Sequence, residues 1–68
     1  MLNIGQKIML DALRESLRAK GIRATPYRIG VEAGKEGVSI PSPYKTERRT
    51  TLYQQGFSFG KLERSNRK

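Results

Sequence analysis

Six carboxylates, fourteen lysines and arginines and three tyrosines carry most of the chemistry available to this chain, which has no histidine and no cysteine. The absence of both removes the imidazole and thiolate metal ligands, any disulfide, and the side chain best suited to moving a proton near neutral pH. The acids are Asp11, Glu15, Glu32, Glu36, Glu47 and Glu63, and each has a lysine or arginine near it in the chain, at helical pairing distance for Asp11, Glu15, Glu32 and Glu63, the pattern of solvated surface acids. Asp11 and Glu15, four apart, are spaced to share a proton, but no further catalytic partner accompanies them. Neither GxGxxG nor GxxxxGK[ST] occurs among the glycines. The sequence therefore predicts no enzyme, no metal site and no cofactor.

The cations point elsewhere. A formal charge of +8 and a pI near 10.5 attract polyanions: nucleic acid first, then anionic membrane, then an acidic protein. Arginine outnumbers lysine, and its planar fork suits phosphate. Lys45, Arg48 and Arg49 cluster beside Tyr44, while Lys61 and Arg64, followed by Arg67 and Lys68, extend the charge at the far end. Arg23 and Arg28 lie around a second helix start, and Lys35 near its end. The predicted RNA-binding set is Arg28, Lys35, Tyr44, Lys45, Arg48, Arg49, Lys61 and Arg64. Tyr44 either offers its ring to an unpaired base or packs against the prolines to fix the turn. Tyr53 and Phe57 read as core.

These residues must be positioned by one small all-α domain of three helices, residues 1–68. A chain of this length buries only about 60% of its unfolded surface, so its stability is expected to be marginal. No run approaches the ~20 apolar residues of a membrane span, and no signal-peptide pattern opens the chain, so a cytoplasmic protein without a membrane role is expected. Asn3 with Gln6 reads as a capping box, opening a helix that runs to about Lys20 and stops at Gly21. Met9, Leu10, Leu13 and Leu17 form its apolar stripe, with Ile4 and Ile8 on the polar side, either as a second contact or left exposed.

Thr25-Pro26 starts a second helix that ends near Glu36, with Gly37 as left-handed terminator. Tyr27, Gly30, Ala33 and Gly34 share one face of it, while Arg28, Glu32 and Lys35 point away. Two interior glycines cost ~2 kcal/mol of helix propensity, and a close helix contact is the expected compensation. A linker anchored by Val38 and Ile40 follows. A third helix begins at Ser42-Pro43 or at Thr46-Glu47 and lasts to about Arg64, leaving 65–68 frayed. Its Gly56 and Gly60 lie between Leu52, Phe59 and Leu62 on one side and Tyr53 and Phe57 on the other, which predicts that they meet Gly30 and Gly34.

Gly30-x-x-Ala33-Gly34-x-x-Gly37, then Pro43-Tyr44, then Tyr53-x-x-Gly56-Phe57, resembles ribosome modulation factor over roughly residues 27–62. The chain departs from that family in having Tyr53 and Phe57 where tryptophans are usual, Ser42 before Pro43, and Pro26 where the family's helix continues. Residues 1–25 have no counterpart in it. The resemblance implies two packed helices, 26–64, forming a hairpin through the Pro-Tyr linker. It also implies binding to small-subunit ribosomal RNA and a part in silencing translation. Carried over by position, Pro43 and Tyr44 mark the linker, and Tyr53, Gly56 and Phe57 the packed helix.

Three rivals stand beside this expectation. A protein-binding accessory module, of the kind phages or mobile elements carry, would use the added first helix against a host factor. A small DNA-binding protein would need more exposed polar readers on its second helix. Peripheral membrane binding would need a cleaner amphipathic face on the first.

Overall fold

The computed structural model describes residues 2–66, which form three α-helices: α1 (Ile4–Ala19), α2 (Pro26–Glu36) and α3 (Glu47–Asn66). Local signals explain each end. The Asn3 side chain accepts the Gln6 N–H at 2.8 Å while the Asn3 N–H donates to the Gln6 side chain at 3.1 Å, satisfying two donors that the helix start would leave open. Gly21, at φ 75°, closes α1: its N–H reaches the Arg18 carbonyl and that of Ile22 reaches Leu17, a Schellman pairing that also folds Ile22 back onto the core. Thr25 caps α2 ahead of Pro26, and Gly37 ends it at φ 73°. Thr46 accepts the Arg49 N–H at 3.3 Å, so α3 takes the later of its two possible starts.

Helix α3 continues through Asn66, so Ser65 and Asn66 are helical rather than frayed; Arg67 and Lys68 lie outside the described residues. Nothing in Glu63-Arg64-Ser65-Asn66 breaks a helix, since neither proline nor glycine occurs there.

Helix α2 is the centre of the molecule. Ile29 through Gly34 are all buried, because two different neighbours cover it. On one side α1 delivers Leu10, Leu13 and Leu17 to a core shared with Ile29, Ala33, Ile40 and Tyr53. Glu32, expected to point outward, is 8% exposed, since α1 covers that side as well; its carboxylate lies 3.4 Å from the Lys20 ammonium. Ile4 and Ile8 remain outside, at 77% and 63% exposure.

On the other side α2 meets α3 backbone to backbone. A Cβ placed on Gly30 would overlap the Tyr53 carbonyl oxygen, and one on Gly34 that of Phe57. From α3, a Cβ on Gly56 would strike the Tyr27 carbonyl and one on Gly60 that of Val31. The partners also fix the direction. Contacts step from Tyr27 with Gly56, through Val31 with Gly60, to Gly37 with Arg64, so the two helices run parallel.

The pair is therefore not an up-and-down hairpin. The ten residues between Glu36 and Glu47 travel back along the whole of α2 before α3 begins. An eleven-residue helix is about 16 Å long, and ten extended residues reach about 33 Å, so the return is easily spanned. Pro41 and Pro43 keep this strand of chain from coiling, and Ile40 buries itself in the core on the way.

Candidate nucleic-acid interface

The returning linker is held by hydroxyls. The Tyr44 N–H donates to Ser42 Oγ at 3.2 Å, Ser42 Oγ and Thr50 Oγ1 are 3.0 Å apart, and the Thr50 hydroxyl donates to the Tyr44 carbonyl at 3.3 Å. Each hydroxyl has one proton, so with Thr50 committed to Tyr44 the Ser42 hydroxyl must donate to Thr50. Further back, the buried Tyr53 hydroxyl donates to the Ile40 carbonyl at 2.9 Å. Together these bonds seat the Pro43-Tyr44 pair on the first turns of α3.

Tyr44 is consequently half-buried rather than free. Its ring leans on Tyr53, centroids 6.1 Å apart and planes tilted by 57°, and it packs against the core. Burial pushes its phenol above the ordinary value, while the Arg14 guanidinium beside the hydroxyl and the charge of Arg49 pull part of the way back. Burial likewise raises Tyr53, with Tyr44 adding to it.

The predicted cations separate into two groups. Parallel packing brings the N-termini of α2 and α3 to the same end of the molecule, and there lie Arg28, Lys45, Arg48 and Arg49, all exposed, with Glu47 the acid among them. Helix N-termini carry partial positive charge, so the dipoles reinforce these side chains rather than offset them. Arg14, from α1, joins this group at Tyr44.

Lys35, Lys61 and Arg64 gather at the opposite end, where both helices finish. Two of them have side-chain contacts within the fold. Lys61 sits over the Phe57 ring, 5.9 Å from its centroid, and the Arg64 guanidinium covers Gly37. Lys35 is half-buried, with its backbone against Gly60. A cation in the last turn of a helix is stabilising by itself, which gives Lys35 of α2 and Arg64 of α3 a structural use as well. Of the structural motif, Gly30, Ala33, Gly34, Gly56 and Gly60 are buried, Tyr53 is core and Phe57 partly so, and Pro43 belongs to the pinned linker.

Arg14 was not among the cations singled out from the sequence. On the wheel of α1 it is one more residue of a solvated face, and only the tertiary path of the linker brings it to Tyr44. The exposed acids of α1 are matched locally: Asp11 lies 3.8 Å from Arg14 and Glu15 3.6 Å from Arg18. Among the described residues no cluster of three or more His, Cys, Asp or Glu could share a metal ion, and no helix is long and apolar enough to cross a membrane. Compared with models of protein families, with curated proteins and with solved structures, the chain matches none.

Proposed function

We propose that this protein is a non-catalytic RNA-binding protein which, in the manner of ribosome modulation factor, binds ribosomal RNA in the cytoplasm and lowers translation. The observation that carries the reading is the parallel register of α2 and α3, which turns both helix N-termini, with Arg28, Lys45, Arg48 and Arg49, toward one end of the molecule. A polyanion meeting that end would find side-chain charge and helix dipoles of the same sign. Phosphates would be neutralised there without sequence readout, and the fixed shape of the glycine-packed pair would select the fold of the RNA. The spacing of the glycine, Pro-Tyr and aromatic motifs supplies the ribosomal part of the proposal.

Sedimentation of a tagged form in a sucrose gradient of cell lysate tests it. The wild type is expected to travel with ribosomal particles, and Arg48→Glu with Arg49→Glu to stay at the top. A second reading, a protein-binding module, draws on the exposed Ile4 and Ile8 of α1 and on Phe59 and Leu62 of α3. It predicts that partner binding survives that double charge reversal, an outcome that would remove the RNA reading.

A further inference from the structure

A groove of about 390 Å³ runs between the start of α1 and the returning linker, with Leu2 and Lys7 on one wall and Pro43, Tyr44 and Lys45 on the other. We infer that this groove takes up one unpaired nucleotide of the bound RNA, its base against Tyr44, Pro43 and Leu2 and its phosphates between the Lys7 and Lys45 ammonium groups. The inference rests on the RNA-binding reading and narrows it to a class of ligand.

The lining matches a nucleotide in two parts. Leu2, Pro43 and Tyr44 give an apolar, partly aromatic surface, and bases of any sequence have a π-face to lay on one. Lys7 and Lys45 are both exposed, and neither belongs to the three ion pairs seen among the described residues. The volume falls within the usual range for small-ligand sites. The platform is also held in advance: Tyr44 is bonded through Ser42 and Thr50 to α3 and leans on Tyr53, so little ordering remains to be done on binding.

A paired base cannot use this groove. In an A-form duplex the base faces are stacked within the helix and the major groove is too deep and narrow for side chains to read, so the occupant must come from a loop, bulge or end. Helix α1 thereby gains a role: it supplies the second wall.

Fluorescence anisotropy on the full chain distinguishes the possibilities, using a short labelled oligouridine and a blunt RNA duplex of equal phosphate count at the same salt. The single strand is expected to bind about tenfold more tightly than the duplex, the scale of one stacked base. Lys7→Glu should weaken the single strand by about tenfold and move duplex binding less than about twofold. Lys7 is exposed on the first turns of α1, and an unchanged melting temperature will show that the fold is kept. Equal affinity for the two RNAs, or an equal response of both to Lys7→Glu, would overturn the groove while leaving phosphate binding intact. Binding of neither RNA would overturn both readings.

Discussion

Tyr53 does two tasks with one side chain. Its ring fills the core between α1 and α3, and its hydroxyl satisfies the Ile40 carbonyl at 2.9 Å. Tyr53→Phe keeps the ring and strands that acceptor, so thermal denaturation is expected to show a loss of about 1–3 kcal/mol. The same residue gives the protein an alkaline limit. Tyr44 and Tyr53 have phenols raised above the ordinary 10.0, so the unfolded chain gives up these protons first as pH climbs. Below the unfolded value both states are protonated and the stabilisation is whole; it drains away as pH rises from about 10 through the folded values. Melting temperatures measured across that range should fall for the wild type and fall less for Tyr53→Phe. Little of this was legible in advance. Tyr53 reads as core from its place beside Gly56, but a bond to a carbonyl thirteen residues away leaves no local trace.

At the scale of elements, the glycines decide the architecture by what they lack. Gly34→Ala would drive a methyl into the Phe57 carbonyl, with the Lys61 nitrogen only 2.7 Å away. Helix propensity favours that substitution by about 1 kcal/mol, yet the partner atoms are backbone and cannot swing aside. Chemical denaturation is expected to show a net destabilisation of about 1–3 kcal/mol. Gly5→Ala is the control: exposed on α1, its new methyl would find its nearest neighbour, Asn3 Oδ1, at 3.5 Å, so stability should rise by up to about 1 kcal/mol. A result in which both alanines stabilise would mean that α2 and α3 do not approach closely.

The three helices and their caps were readable because Asn3, Gly21, Thr25-Pro26 and Gly37 act within a turn of themselves. The i, i+4 glycines marked which faces are bare. What they could not state was direction, because a stripe of small residues fits a parallel neighbour as well as an antiparallel one. Glu32 was misplaced for a related reason. The wheel of α2 has a polar side, and only the passage of α1 makes that side interior.

For the molecule as a whole, the distribution of charge is the quantity to measure. Affinity for RNA should fall linearly on a log–log plot against salt, with a slope of roughly 3–6 if Arg28, Lys45, Arg48, Arg49 and their neighbours are the phosphate contacts. Filter binding across a salt series reads that slope, and a flat line would exclude neutralisation as the source of affinity. The sequence disclosed the excess of cations and not their grouping. Lys35, Lys61 and Arg64 look equal to Arg48 and Arg49 in sequence, but the fold places Lys35 and Arg64 in last helical turns and Lys61 over the Phe57 ring. Arg14 and Lys7 reach the linker from a helix that the motif pattern does not touch.

At Gly30, Gly34, Gly56 and Gly60 the seam between α2 and α3 has no side-chain torsions. Backbone rests on backbone there, so at those four points no rotamer can flip to let the helices slide past each other. A guest arriving at the basic end therefore meets a stiff template and must itself supply any bending needed for fit. Discrimination among RNAs would then follow how easily each deforms, with flexible junctions favoured over rigid stems.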